Sequence, residues 1–274
     1  MNHTNSPREG NQLVFLKLGG SLITDKHKPR TPNMPVLGRL AEEIQSGLEE
    51  NTGLKILLGH GSGSFGHTSG SQYQTREGVS TPGDWLGFSQ VWADAAALNR
   101  LVMSALQDAG LPAVAFPPSA SILTQSRKII SWELSPIGIA LKNNLLPVVY
   151  GDVVFDENQG GTILSTEELF VYLAAALKPK RVLLAGQDPG VWQDFPACTR
   201  LFEEITPTDK KDLISGVKAS RATDVTGGMG EKVKQMLDLI QSLPALEALI
   251  FSGAEPGQVQ RALSGESPGT RLHD

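Results

Sequence analysis

Short apolar runs alternate with amphipathic segments along most of the chain. Residues 14–18, 55–58 and 181–185 are apolar runs of strand length, and residues 35–51 carry apolar side chains three and four positions apart, as in a helix with one buried face. The same patterns predict a polar loop at 70–83, strands at 113–116, 129–132, 146–150, 248–251 and 269–272, and helices at 86–109, 134–144, 166–177, 206–215, 233–242 and 256–263. This alternation predicts an α/β fold with a mostly parallel central sheet.

Glycine-rich segments follow the first two predicted strands. Residues 17–21 read KLGGS, and residues 59–67 read GHGSGSFGH, with a histidine near each end. Glycine accepts positive φ angles and lets a ligand approach the main chain, and consecutive N–H groups after a strand form a concave anion site. The second segment is therefore interpreted either as a phosphate-holding loop or as a flexible Gly/Ser turn. Taken alone, it favours neither.

Two lysines and one aspartate are candidates for a site. Lys17 lies inside an apolar strand, where a lysine costs free energy unless it is paired or lies at the strand's mouth. Lys26 belongs to the basic segment 24–30, which also fits a solvated charged loop. Asp152 follows Gly151 at the end of a predicted strand, where it either caps a turn or holds lysine ammonium groups in place.

These segments share the chemistry that phosphoryl transfer needs. That reaction requires positioned hydrogen-bond donors and positive charge around the transferred group, with little covalent chemistry from the protein. A further glycine segment, DVTGGMGEK at 224–232, also carries a lysine. The segment 59–67 lacks the Gly-Lys-Ser/Thr end of a Walker A loop, and the sequence has no HExxH, paired CxxC or EF-hand pattern that would indicate a protein-held metal.

Composition narrows the class of protein. The 274 residues hold 24 Lys and Arg against 29 Asp and Glu, and the net charge of −5 argues against a nucleic-acid-binding surface. Cys198 is the single cysteine, which fits a reducing compartment. No apolar run approaches the ~20 residues of a membrane helix, and residues 1–12 lack a signal-peptide core. We expect a disordered tail at 1–12 and a single soluble, cytoplasmic domain over 13–274, with no membrane partner.

Taken in order, the motifs resemble the amino acid kinase superfamily and, within it, the isopentenyl phosphate kinase family. The matching segments are KLGGS followed by Lys26, GSFGH ending at His67, GDVV at 151–154 and DVTGGM at 224–229. Other members of the superfamily share the lysine-glycine start but lack the SFGH histidine, and fosfomycin kinase has a similar histidine loop.

The resemblance implies ATP-dependent phosphorylation of isopentenyl phosphate to isopentenyl diphosphate. Two alternatives stay open: a kinase of another phosphate or phosphonate acceptor such as fosfomycin, and a non-catalytic small-molecule sensor on the same fold. The lysines Lys17, Lys26 and Lys232 argue against a sensor, which has no need for transition-state charge.

The resemblance also implies an αβα sandwich with two lobes. The lobe of about 13–160 would bind the acceptor and form a homodimer, with the helix at 86–109 as a candidate contact. The lobe of about 161–274 would bind ATP, with Mg²⁺ carried on the nucleotide phosphates.

Site residues follow from the same resemblance. The family pattern assigns ATP binding to Lys17, Gly19, Gly20, Ser21, Gly63, Gly228 and Lys232. It assigns acceptor binding to Ser62, Gly63, His67 and Gly151. It assigns catalysis to Lys17, Lys26, His67 and Asp152, with Lys26 at the transition state and His67 as a binder of phosphate rather than a base.

Three segments depart from the family pattern. Ser62 stands within a run that is usually three successive glycines, so its side chain narrows the approach although its N–H remains. The usual DVDG turn reads QDPG at 187–190, and the SGDD-like turn reads STEE at 165–168. The last two changes lie in the nucleotide lobe, so they bear on nucleotide preference more than on the acceptor.

Overall fold

The structure, a computed structural model, describes residues 12–209 and 228–274 apart from the side chain of His67. Its strands are β1 (Gln12–Leu18), β2 (Leu54–His60), β3 (Ala113–Ala115), β4 (Ile122–Gln125), β5 (Lys128–Trp132), β6 (Leu146–Tyr150), β7 (Asp152–Asp156), β8 (Gly160–Leu164), β9 (Arg181–Gly186), β10 (Glu204–Ile205), β11 (Glu247–Ser252) and β12 (Gly269–Leu272). Its helices are α1 (Gly20–Ile23), α2 (Met34–Glu50), α3 (Gly63–Tyr73), α4 (Pro82–Asp108), α5 (Ser135–Lys142), α6 (Thr166–Leu177), α7 (Gly228–Ser242) and α8 (Gln258–Leu263).

Eight strands form one sheet in the order β10-β12-β11-β9-β1-β2-β6-β3. Neighbours run parallel except β11 and β12, so the predicted α/β fold with a mostly parallel sheet is confirmed. In the pair β1–β2, Leu18 lies opposite His60, so both strands end level at one edge. The strand order reverses between β1 and β9, and open sheets bind ligands at such a switch point.

Alternating side chains of β1 divide between two apolar cores. Val14, Leu16 and Leu18 face the core that contains α2, α4 and α8, whereas Phe15 faces the core that contains α5, α6 and α7. Successive strand residues point to opposite faces of a sheet, so helices cover both faces and the protein has three layers. Lys17 shares the face of Phe15, and this fixes which helix it can reach.

A smaller sheet, in the order β5-β4-β7-β8, stands beside the main one. A single residue, Gly151, separates β6 of the main sheet from β7 of the small sheet. A minor core of Val79, Phe88, Val91 and Val153 joins the small sheet to α4 and to the segment before it. The small sheet therefore lies next to the carboxyl end of β6.

Two helices extend into segments that the sequence predicts as loops. The segment GHGSGSFGH holds the end of β2 and the start of α3, and α3 continues to Tyr73. Tyr73 packs where a side chain on Gly87 would stand, and this packing outweighs the weak helix propensity of glycine. α4 begins at Pro82 rather than at 86, because Thr81 and Asp84 form a capping box.

Residues 1–11 and 210–227 lie outside the described part of the structure. Most of the predicted tail and most of the helix predicted at 206–215 fall there. Within the described part, Pro207–Asp209 is a 3₁₀ turn. Gln12, which the sequence assigns to the tail, pairs with Leu54 as the first residue of β1.

Gly59 and Gly38 provide a matched test of the packing of α6 on β2. A Cβ on Gly59 would lie 2.5 Å from Thr166 Cγ2 and 2.7 Å from the Phe170 ring, whereas one on Gly38 would meet nothing within 4 Å. Gly59→Ala should lower the free energy of unfolding by about 1–3 kcal/mol, and Gly38→Ala should raise it by about 0.5–1 kcal/mol through helix propensity. Urea unfolding measures both, and equal effects would contradict close packing at Gly59.

Candidate active site

The turns after β1 and β2 pack backbone against backbone. A Cβ on Gly20 would lie 2.4 Å from the Gly63 nitrogen, and one on Gly61 would lie 2.8 Å from the Gly20 nitrogen. Gly63 also has a φ of +49°, in the left-handed region that glycine tolerates best. Glycine is therefore required at this contact, and the turn of KLGGS touches the turn of GHGSGSFGH.

The N-terminus of α3 offers N–H groups to an anion. The N–H of Ser64 donates to Thr24 Oγ1 at 2.9 Å, and those of Phe65 and Gly66 donate to the Ser62 carbonyl at 3.2 Å. Within the described residues, the N–H groups of Ser62 and Gly63 have no acceptor. Free N–H groups at the start of a helix bind phosphate or carboxylate.

The side chain of Ser62 lies along α3. A Cβ on Gly66 would come within 2.5 Å of the Ser62 Cβ and Oγ, so the serine side chain occupies the space that Gly66 leaves. His67 lies on α3 as well, but its side chain is outside the described part of the structure. The serine that replaces a family glycine thus keeps its N–H available.

Lys17 forms a buried salt bridge with Glu167 in the first turn of α6. Their side chains are 9% and 7% exposed. The contact follows from strand and helix periodicity. Phe15 of β1 packs on Phe170 of α6 with ring centroids 5.1 Å apart. Lys17 lies two residues after Phe15 on the same face of β1, and Glu167 lies one turn before Phe170 on the same face of α6, so these two side chains also meet. A lysine inside β1 is therefore tolerated because α6 supplies its counter-charge.

A second lysine acts on the same carboxylate. Burial alone would raise the pKa of Glu167, but the charges of Lys17 and Lys232 and the hydrogen bond from Lys17 outweigh it, and the pKa lies below its ordinary value. Lys232 lies just over one turn into α7, whose first residue, Gly228, has a φ of +66° and open space around it. Glu167 is thus in direct contact with Lys17, whereas Lys232 acts on it through charge at longer range.

Lys26 lies on an exposed loop that is fastened to α3 and α4. Thr24 Oγ1 donates to the Gly20 carbonyl at 2.8 Å, and the Arg30 N–H donates to the Ser64 carbonyl at 3.2 Å. Arg30 also holds the buried Asp94 of α4 through Nε at 2.9 Å and Nη2 at 3.0 Å. The Lys26 side chain itself is exposed beside these anchors.

Among the described residues, Asp152 contacts backbone N–H groups rather than the lysine that the sequence analysis suggested for it. Its carboxylate accepts hydrogen bonds from the N–H groups of Ser119, at 3.3 Å, and Val153, at 2.9 Å. Glu167 is the carboxylate in contact with Lys17. The neighbouring Gly151 donates its N–H to the His60 carbonyl at 3.2 Å and so lies at the same sheet edge as the two turns.

The altered turn at 187–190 is tied to the turn after β1. The Gln187 side-chain amide donates to the Ser21 carbonyl at 2.7 Å, and the Gly19 N–H donates to the Ala185 carbonyl at 2.8 Å. Ser252 at the end of β11 donates to the Gln187 carbonyl at 3.3 Å. Gln187 therefore bridges the ends of β1, β9 and β11, whereas Asp188 is exposed.

Glu167 is the functional candidate that the sequence analysis did not single out for a role. A signal existed, because Glu167, Phe170 and Ala174 recur at helical spacing and the last two are apolar. The helix period thus assigns Glu167 to the buried face of α6. A carboxylate buried there requires a cation, and Lys17 is the cation that the strand pattern places inside β1.

Fold and site together define an α/β protein whose sheet edge carries two glycine turns in contact and a buried lysine. Residues 12–252 match the model of the amino acid kinase family. The chain therefore belongs to the amino acid kinase family, among relatives that are isopentenyl phosphate kinases.

Two archaeal relatives cover nearly the whole chain. The isopentenyl phosphate kinase of Methanocaldococcus jannaschii is 31% identical over 95% of this chain and 98% of its own length. That of Methanothermobacter thermautotrophicus is 33% identical over the same shares. The isopentenyl phosphate kinase of Arabidopsis thaliana is 30% identical over 77% of this chain and 68% of its own length.

Solved structures give the same relationship. An X-ray structure of isopentenyl phosphate kinase superposes with a TM-score of 0.80 at 31% identity, over 95% of this chain and 99% of that one. None of the helices in the described ranges is long and apolar enough to span a membrane. Over the same ranges, no three His, Cys, Asp or Glu side chains are grouped so that they could hold a metal ion.

Asp152 gives the site a pH-dependent stability. Burial raises the pKa of its carboxyl to about 6, against hydrogen bonds from Ser119 and Val153. An unfolded Asp titrates near ~3.9, so between about pH 4 and 6 the unfolded chain loses its proton first and stability falls as the pH rises. The free energy of unfolding of Asp152→Asn should therefore exceed that of the wild type by about 2–3 kcal/mol at pH 7 and differ little from it at pH 4.

Asp84 is the matched control for this measurement. Hydrogen bonds from Thr81 and Ser80 lower the pKa of its exposed carboxyl, so its contribution is present above about pH 4 and is lost as the pH falls. Asp84→Asn should be less stable than the wild type at pH 7, with a difference that shrinks toward acid. Thermal unfolding of the three proteins from pH 4 to 8 tests both signs, and parallel curves would contradict the assignment of Asp152.

Proposed function

We propose that this protein transfers the γ-phosphoryl group of ATP to isopentenyl phosphate, giving isopentenyl diphosphate and ADP. The observation that carries the proposal is the contact of the two glycine turns at Gly20 and Gly63. It supports two phosphate sites side by side, which is the arrangement that transfer between phosphates requires. The relatives' activity, named for the same reaction, supports the choice of acceptor.

The donor and the acceptor divide between the two lobes. In this proposal ATP lies on Lys17, Gly19, Gly20, Ser21, Gly63, Gly228 and Lys232. The acceptor phosphate lies on the N–H groups of Ser62 and Gly63, with Gly151 and His67. The lobe of about 13–160 then holds the acceptor and supplies the glycine turns to the ATP phosphates, and the lobe of about 161–274 holds the rest of the nucleotide.

The reaction needs charge and alignment more than acid–base chemistry. An oxygen of the acceptor phosphate attacks the γ-phosphorus in line, a new P–O bond forms, and the bond to the β-phosphate oxygen breaks to release ADP. A phosphate monoester is already ionised at neutral pH, so no general base is required. Lys26 stabilises the charge that spreads over the transferred group, and His67 binds and orients the acceptor.

Mg²⁺ is expected to arrive with the nucleotide. This cation keeps most of its water and is usually held by substrate phosphates with one or two carboxylates. When bound, it neutralises part of the charge on the phosphates. Lys17 and Lys232 contribute fixed positive charge beside them, and Glu167 holds Lys17 in place.

Lys26 offers a cleaner test of transition-state charge than Lys17. Removal of Lys17 would deprive the buried Glu167 of its nearest cation, and the loss of one partner of a buried pair lowers stability as well as activity. Lys26 is exposed, so its replacement leaves the core intact. Lys28 on the same loop is a matched control, since it is 74% exposed and 3.9 Å from Asp25.

We expect the purified protein, with ATP and Mg²⁺, to form ADP in the presence of isopentenyl phosphate and not of fosfomycin. Lys26→Ala should lower kcat by about a hundredfold, as the loss of one preorganised donor does. Lys28→Ala should change it by less than about fivefold. A coupled ADP assay measures all of these, and turnover of fosfomycin alone, or of neither acceptor, would refute the proposed reaction.

We also propose a homodimer formed through the acceptor lobe, in the cytoplasm. α4 presents exposed apolar side chains, including Leu86 at 66% and Trp92 at 47% exposure, and exposed apolar patches mark interfaces. Light scattering at micromolar concentration should give about twice the chain mass of 29.3 kDa, and Leu86→Glu with Trp92→Glu should halve it. A monomer mass for the wild type would exclude the dimer without affecting the proposed reaction.

A further inference from the structure

His60 is a buried polar residue directly beneath the acceptor turn. It is the last residue of β2 and is 1% exposed. Its Nδ1 lies 3.1 Å from the Gly61 carbonyl oxygen, and its Nε2 lies 3.1 Å from Oδ1 of Asn99 in α4. The ring also stacks on Tyr150, with centroids 5.3 Å apart and planes 9° from parallel. Both ring nitrogens and one face of the ring therefore have a partner.

The hydrogen bonds determine which ring nitrogen carries the proton. Burial, together with the charge of Lys17, lowers the pKa of His60, so the ring is neutral at pH 7. A carbonyl oxygen only accepts, so Nδ1 must hold the proton that faces Gly61. Nε2 is then an acceptor, which Oδ1 of Asn99 cannot satisfy. A backbone carbonyl cannot exchange its oxygen for a donor but a side-chain amide can, so we assign Asn99 with its amide group turned by half, its nitrogen facing Nε2.

The bond to Gly61 controls the peptide that follows. The Gly61 N–H donates to the Leu18 carbonyl at 3.0 Å, which fixes the preceding peptide. The next peptide, between Gly61 and Ser62, joins a glycine, whose wide range of backbone angles permits a flip. His60 holds its carbonyl toward the core. In a trans peptide the N–H points the opposite way, so the Ser62 N–H points away from the core.

We propose that His60, oriented by Asn99, is a positioning residue that holds the Gly61–Ser62 peptide so that the Ser62 N–H is directed at the acceptor phosphate. This inference rests on the proposed acceptor site. It differs from a packing role, in which only the contact with Tyr150 matters, because it requires a donor at the place of Nδ1. If the ring only filled space, loss of the N–H at Nδ1 would not affect binding of the acceptor.

Two conservative variants separate the two ring nitrogens. The side-chain nitrogen of Asn reaches the position of Nδ1, and that of Gln reaches the position of Nε2. His60→Asn can still donate to the Gly61 carbonyl, whereas His60→Gln can only contact Asn99. Both lose the stacked ring on Tyr150, so a packing role predicts similar effects for the two.

The positioning role predicts different acceptor constants. His60→Gln should raise KM for isopentenyl phosphate about tenfold or more, with a smaller change in kcat, because the Ser62 N–H, which holds the acceptor in both ground and transition states, is no longer held in position. His60→Asn should retain most of the acceptor affinity. KM for ATP should change little in either. Asn99→Leu, which removes the partner of Nε2, should raise the acceptor KM less than His60→Gln does.

Equal acceptor KM values for the two His60 variants, at similar melting temperatures, would overturn the positioning role. Calorimetric titration with inorganic phosphate or isopentenyl phosphate, without ATP, reads the same site independently of turnover. If the wild type binds phosphate but forms no isopentenyl diphosphate, the proposed reaction fails, and weaker binding by His60→Gln than by His60→Asn still supports the positioning role. Equal phosphate binding by the two variants would overturn it.

Discussion

The contact between two glycine turns is the constraint on which the site depends. Gly20 and Gly63 approach so closely that no side chain fits between them. The turns can meet because β1 and β2 are parallel neighbours that end level. Any residue other than glycine there would push the turns apart, and the two proposed phosphate sites would no longer be adjacent. The other features of the site hold this contact in place from below and from the sides.

Support from the sides comes from residues of the surrounding helices and strands. The salt bridge of Lys17 with Glu167 joins β1 to α6, and Gln187 joins the turn after β1 to the end of β9. On the other side, Arg30 and Asp94 fasten the Lys26 loop to α4. A buried ion pair contributes little net stability on average, but removal of one partner is costly. These contacts therefore favour one arrangement of the turns more than they add to overall stability.

The sequence predicts the sheet, the strand ends and the glycine turns because each rests on a local pattern. The run from 14 to 18, with its lysine and the glycines after it, is enough to place Lys17 at the edge where ligands bind. The start of α3 at Gly63 was missed, because glycine and serine favour turns and only packing on neighbouring helices makes this segment helical. The partner of Lys17 was also missed: Glu167 is 150 residues away, and tertiary structure alone brings the two together.

Because β1 and β2 end level, the fold fixes the distance between the two glycine turns. Neighbouring strands in any sheet lie about 4.8 Å apart, so the spacing between the two turns is set by main-chain hydrogen bonding rather than by side chains. The small sheet and α4 lie to one side of the two glycine turns, where the rest of the proposed acceptor would extend. In the proposed reaction, substitutions there would change which molecule is accepted while the distance over which phosphate moves stays fixed. Under this proposal, the fold separates the choice of substrate from the geometry of transfer.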